Sequence, residues 1–210
     1  MRVIFLDVDG VLTTGSYHNP DTNHIDPEKV QVLRQIVERT RAKIVLTSTW
    51  KMGYDKDSGK KEDYYKILEK VLAKYGLEIF DITDDIPEKI KEPLPQTFSL
   101  EDLDNVEGVH GTGRAAEVEK WIRKHVVENF AILDDEDHDW KEYGLDKNWI
   151  HTSYYGPDCE AGLLKEHIDK TCDILDGKIS YKNQPAHKKN DILTIESSQP
   201  PIFPEWRKAL

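Results

Sequence analysis

The sequence predicts a three-layer α/β fold built on a parallel sheet, on three grounds. Short apolar runs of strand length alternate along the chain with segments of helical period. The runs at 3–6, 44–46 and 130–133 carry no in-out alternation, as strands covered by helices on both faces do. Right-handed crossovers between such units then leave the strands parallel, with their carboxyl ends at one edge.

Each element has its own local reason. Residues 3–6 form the first apolar strand, and residues 13–25, with Gly15, Asn19-Pro20 and Asp21, are too short for a domain and read as a flap beside it. Asp26-Pro27 starts a helix as cap and first helical residue, and Val30, Leu33, Ile36 and Val37 supply its buried stripe. After the strand at 44–46, a helical pattern runs from about 62 to 75 and stops at Gly76, followed by a strand at 78–82. Residues 84–113 contain Pro87, Pro93 and Pro95 and read as a long irregular loop. A helix at 114–125, strands at 130–133 and 149–150, and a helix at 160–175 closed by Gly177 complete the body. From 178 on the chain turns polar and Pro-containing, so residues 1–177 are expected to form the domain and 178–210 a tail, with Phe203 and Trp206 as its candidate docking residues.

Composition sets outer bounds. A chain of 210 residues supports one sizeable core. A net charge of −11 argues against a broad basic face for gripping a nucleic-acid backbone, although a local basic strip stays open. Cys159 and Cys172 fall on one predicted helix, too far apart along its axis for a disulfide, and read as reduced thiols. The first core strand begins so close to Met1 that no cleavable signal peptide fits, and no apolar run reaches membrane-spanning length. The expectation is a cytoplasmic protein with no membrane insertion.

In an open parallel sheet, ligands bind beyond the carboxyl ends of the strands where strand order reverses. Four polar clusters are placed there. Asp7 and Asp9 follow the first strand, Thr47, Ser48 and Thr49 the second, and Asp134 and Asp135 the fourth, while Arg114 opens a helix after Gly111 and Gly113. A carboxylate can attack phosphorus if a cation neutralises the repulsion between two anions, and Mg²⁺ is the natural oxygen-seeking choice. Asp7 is then the nucleophile, Asp9 the general acid that also lends its backbone carbonyl to the metal, and Gly10 the tight turn between them. Thr47 and Ser48 offer donors to phosphoryl oxygens, Arg114 supplies fixed positive charge, and Asp135 with Asp134 completes the metal shell.

Each cluster also has a plainer reading. DxDG can be a simple turn, Ser and Thr often cap helices, Arg114 can be a solvated first-turn residue, and acidic runs are usually charged loops. Asp134 and Asp139 can serve only to orient Asp135. Trp50 and Trp140 are read as packing, with stacking on a base or aryl group left open. His18, His24, His110 and His138 lack metal-ligand spacing and receive no role.

Taken together, DVDGV at 7–11, Thr47 after the second strand, a basic residue opening a helix, and paired acids in ILDDEDHD resemble the four ordered motifs of the haloacid dehalogenase (HAD) superfamily. Within it, IVLTSTW, GRAAEVEKWI and ILDDEDHDW look most like the phosphatase domains of Swiss Army Knife RNA repair proteins. The resemblance spans roughly residues 1–175. It implies a Rossmann-like sheet, a Mg²⁺ cofactor and a phosphoaspartyl intermediate on Asp7, with Asp9 separating phosphatases from dehalogenases. One departure stands out: the superfamily usually has lysine in the third motif, where this chain offers Arg114, or Lys120 inside the helix.

Superfamily members with large caps enclose small metabolites, whereas the short flap and the 84–113 loop imply an open site. The sequence therefore leads to a Mg²⁺-dependent phosphomonoester hydrolase acting on an exposed phosphate, either a nucleic-acid end or a residue on a protein. A phosphotyrosine or phosphoserine phosphatase and a small nucleotidase are the alternatives. A catalytically silent binding module stands outside that class, and the intact pair Asp7 and Asp9 speaks against it.

Overall fold

The computed structural model describes residues 1–86, 113–157 and 160–178. Five strands form one all-parallel sheet in the order β3-β2-β1-β4-β5. These are β1 (Arg2–Leu6), β2 (Lys43–Leu46), β3 (Ile79–Ile82), β4 (Asn129–Asp134) and β5 (Trp149–His151), with helices α1 (Pro27–Thr40), α2 (Asp63–Lys74), α3 (Arg114–Lys124) and α4 (His167–Leu175). β1 lies at the centre, pairing Leu6 with Leu46 of β2 on one side and with Leu133 of β4 on the other.

Alternate residues of the central strands serve two cores. Ile4, Leu6, Ile44 and Leu46 pack against α1, α2 and α4, while Val3, Phe5, Val45 and Ile132 pack against α3 and the segment around Trp140 and Leu145. This division is why the strands read as unbroken apolar runs. Val3 through Leu6 have no exposed surface, and burial of such a side chain contributes roughly 1.5–3 kcal/mol. Phe5 meets Trp121 and Phe130 edge-on, with centroids 5.4 and 5.8 Å apart.

The chain winds outward through α1 and α2 on one face, then crosses β1 and returns through α3 on the other. Strand order thus reverses between β1 and β4, opening a crevice at their carboxyl ends. Asp26 caps α1 as expected, its carboxylate accepting the Glu28 N–H at 2.8 Å, with Pro27 in the first turn. The flap at 13–25 leaves and rejoins the body between a Thr13–Ile25 bridge and the bond from Asp26 N–H to Leu12 O at 2.8 Å.

The last helix corrects the sequence reading. It was expected over 160–175, yet α4 begins at His167 and residues 160–166 run as turns. Gly162 carries the reason: φ is +73°, its N–H donates to Ser153 O at 2.8 Å, and the next N–H, of Leu163, donates to Val11 O at 2.9 Å. A Cβ there would stand 2.9 Å from Thr14 Cγ2 and 3.1 Å from Val11 O. Docking on the β1 loop overrides helical propensity. Cys172 lies buried in α4; Cys159, residues 87–112 of the expected irregular loop with His110 and Gly111, and tail residues 179–210 with Phe203 and Trp206 lie outside the described residues. No helix among the described residues is long and apolar enough to cross a membrane.

Candidate active site

The ladder of β1 ends by placing Asp7 beside β4, its N–H donating to Leu133 O at 2.9 Å. The chain then coils once, with the N–H groups of Val11, Leu12 and Thr13 all directed to Val8 O. Gly10 makes this coil possible at φ +74°, and it does more. A Cβ on Gly10 would lie 2.1 Å from Asp135 Cγ, so only glycine lets the acid after β4 close on the loop after β1.

Arg114, the first residue of α3, joins the two strand ends. Its Nη1 donates at 2.7 Å to Asp7 Oδ1 and at 2.7 Å to Asp134 Oδ2. Both acids are buried, at 3% and 0% exposure, so this guanidinium supplies charge where water cannot. Asp134 Oδ1 also accepts the Glu136 N–H at 3.0 Å, and His138 Nε2 stands 3.5 Å from the same oxygen. Asp135 is half-buried, and its backbone carbonyl meets His151 Nε2 at 3.0 Å. Carboxylate oxygens of Asp7, Asp134 and Asp135 all lie within 4.8 Å of one another.

The electrostatics follow from this crowding. Burial pushes the Asp7 carboxyl up to about 8; Arg114 opposes the shift, and Asp134, Asp9 and Asp135 add to it. Burial and then Asp134 raise Asp135 as well. Burial also works to raise Asp134, but His138, Arg114 and the Glu136 N–H together hold it below the ordinary carboxylate range. Three carboxyls crowd one guanidinium, and the upward shifts of Asp7 and Asp135 mark how unfavourable it is for all three to ionise without a further cation. Such a set fits a hard divalent cation, and Asp7, Asp134 and Asp135 are the side chains that would hold it.

The remaining predicted residues fall at the same edge. Thr47 follows β2 with 2% exposure, and its Oγ1 has no hydrogen-bond partner among the described residues. The Thr47 N–H donates to Leu6 O at 3.0 Å, which sets this hydroxyl at the end of β1 next to Asp7, where it can donate to a ligand oxygen. Ser48 is wholly buried, and its Oγ accepts the Trp50 N–H at 3.4 Å, capping the turn at Thr49–Gly53. The Asp9 side chain is exposed and stands outside the acid cluster, with Oδ1 accepting from Thr13 Oγ1 and Oδ2 from Trp50 Nε1, both at 2.9 Å. Lys120 lies a turn and a half beyond Arg114, where its charge acts on Asp84. Between the two candidates for the basic position, Arg114 is the one that reaches the acids. Asp139 adopts φ +61° in the loop before Trp140 and accepts the Glu142 N–H through its backbone carbonyl. Trp140 is wholly buried, as its packing role required.

Three features escaped the sequence reading. Trp50 was read as packing and does meet Tyr64 edge-on at 5.9 Å, but its indole N–H serves Asp9. His138 received no role, yet it flanks Asp134. Lys51, 5% exposed, pairs with Glu117 one turn beyond Arg114, and contacts Thr83 Oγ1 at 3.3 Å and Asp85 Oδ1 at 2.9 Å.

A parallel sheet with its acids, unpaired hydroxyl and arginine gathered at the switch point defines a HAD-type α/β domain. The family described as the HAD domain in Swiss Army Knife RNA repair proteins matches residues 3–167, and the chain belongs to it. No curated protein and no solved structure gave a significant match.

Proposed function

We propose that this domain is a Mg²⁺-dependent phosphomonoesterase that passes the phosphoryl group through Asp7, acting on an exposed phosphate at a nucleic-acid end. The single observation that carries the reading is one Arg114 nitrogen held 2.7 Å from both Asp7 and Asp134, with Asp135 alongside. Bound Mg²⁺ supplies Lewis-acid charge that lets two anions approach. An Asp7 oxygen bonds to phosphorus as the bond from phosphorus to the leaving oxygen breaks, and Asp9 gives that oxygen a proton. Water then attacks the phosphorus of the acyl phosphate, Asp9 takes a proton from it, and inorganic phosphate leaves with Asp7 restored. Arg114 and Thr47 face the phosphoryl oxygens as charge builds on them.

The family supports the nucleic-acid end, since its described members serve RNA repair. The net charge of −11 favours the second reading, a phosphorylated residue on a protein, because a polynucleotide gains affinity from basic contacts. Turnover of a 3′-phosphorylated oligoribonucleotide, a phosphotyrosyl peptide and a mononucleotide, each with Mg²⁺ and with EDTA, separates these. The expected result is metal-dependent release of phosphate, fastest from the oligonucleotide and abolished by Asp7→Asn. Turnover that survives full metal removal, or that persists in Asp7→Asn, overturns the mechanism; a preference for the peptide transfers the substrate to the second reading.

A further inference from the structure

The Asp9 carboxylate is exposed on a loop, a setting in which an aspartate side chain ordinarily samples several rotamers. Here each oxygen has its own donor. Thr13 Oγ1 holds Oδ1 and Trp50 Nε1 holds Oδ2, both at 2.9 Å. Two anchors on two oxygens fix the plane of the carboxylate as well as its position, which a single contact does not.

The donors are themselves held from different parts of the fold. Thr13 is 3% exposed, donates its N–H to Val8 O at 3.0 Å and bridges to Ile25 at the root of the flap. Trp50 sits on the turn that follows Thr47 and Ser48, with its ring braced edge-on by Tyr64. Indole is a donor only, so Trp50 can orient the acid but neither accepts nor supplies the transferred proton.

We propose that Trp50 and Thr13 are positioning residues that aim the Asp9 carboxyl at the leaving-group oxygen. This rests on the phosphomonoesterase reading above and deepens it: the β2 turn that carries the phosphate-facing Thr47 also orients the proton donor. An oriented acid matters most when the leaving oxygen is a poor one. A sugar or alkyl oxygen needs the proton as its bond to phosphorus breaks, whereas a nitrophenolate departs without it. The arrangement therefore suits esters of aliphatic hydroxyls, such as the terminal phosphate of a nucleic-acid strand.

Trp50→Phe keeps a ring against Tyr64 and removes the N–H; Thr13→Val keeps the shape and removes the hydroxyl; Thr13→Ser restores the hydroxyl. General acid catalysis is worth roughly 100- to 10,000-fold, so loss of one anchor should lower kcat/KM on an alkyl phosphate about 10-fold while kcat/KM on p-nitrophenyl phosphate changes less than about 2-fold. The comparison is made in kcat/KM because that ratio ends at departure of the leaving group and leaves out the later hydrolysis, in which Asp9 acts as base on both esters. Thr13→Ser should recover most of the loss. Independently of turnover, the indole ¹⁵N–¹H resonance that disappears in Trp50→Phe should shift in Asp9→Ala by more than any other tryptophan resonance. Equal losses on both esters, no loss on either, or a Trp50 resonance indifferent to Asp9→Ala overturns the inference. Wild-type turnover in Asp7→Asn instead overturns the phosphomonoesterase reading, and the catalytic purpose of the two anchors falls with it even if the resonance shifts.

Discussion

Gly10→Ala isolates the contact on which the acid cluster depends. The new Cβ would lie 2.1 Å from Asp135 Cγ and 2.2 Å from its Oδ2. Non-bonded carbons rest about 3.5–4.0 Å apart, so the carboxyl must retreat by about 1.4 Å or more. The backbone adds its own cost, since φ of +74° strains an L residue by roughly 1–2 kcal/mol. Gly59→Ala is the matched control, because Gly59 has φ of +71° and nothing within 4 Å of the added methyl. Both variants should lose about 2–8 °C of Tm from backbone strain, measured by circular dichroism in EDTA. Only Gly10→Ala should weaken Mg²⁺ binding, by roughly 10- to 100-fold in calorimetric titration, the range seen when a metal ligand's support is disturbed. If the two variants bind Mg²⁺ alike, Asp135 does not need the place that Gly10 clears for it, and the proposed metal shell is wrong.

Other perturbations test separate links. Arg114→Met should cost on the order of 100-fold in kcat with an aryl phosphate, whereas Lys120→Met should leave turnover within about 2-fold; comparable losses would remove Arg114 from its assigned place. Asp7 has a folded-state pKa raised to about 8 from an ordinary 3.8, so in EDTA the native state holds a proton that the unfolded chain releases. Urea-derived stability of the metal-free protein should therefore fall as pH rises from about 4 to 8, with Asp135 acting in the same direction, and Asp7→Asn should flatten much of that slope. A slope of the opposite sign in the metal-free wild type would contradict the burial of Asp7. Lys51→Met strands the Glu117 carboxylate in the core and should cost roughly 3–5 kcal/mol in urea denaturation, with Lys51→Met/Glu117→Leu recovering part of it. A loss of under about 1 kcal/mol from the single substitution would mean that water reaches the pair.

The parts of the site that could be read from the chain are those that topology dictates. Asp7, Thr47 and Asp134 end or follow strands whose unbroken apolar character marks them as central, and parallel pairing puts all their ends at one edge. Arg114 was legible because it opens a helix aimed at that edge. What stayed hidden rests on contacts with no local period. Trp50 meets Asp9 across 41 residues and Lys51 meets Glu117 across 66, and neither spacing leaves a mark on its own helix or turn. Residues 160–166 misled for the same reason: their composition suits a helix, and only the approach of Thr14 and Val11 to Gly162 forbids one.

The turn after β2 gains a weight that its short sequence conceals. Within five residues it holds the Thr47 hydroxyl, which has no partner among the described residues, caps itself with Ser48, holds Asp9 through Trp50, and reaches through Lys51 to Glu117 on the helix that carries Arg114. The three groups to which the proposal gives phosphate binding, proton transfer and fixed positive charge are thereby all linked to one short stretch of backbone. The Lys51 pair, although remote from the acids, therefore ties the turn that follows Thr47 to the helix that carries Arg114. Loosening it with Glu117→Gln should raise KM for a phosphate ester at temperatures well below Tm, a signature that a purely stabilising ion pair would not leave.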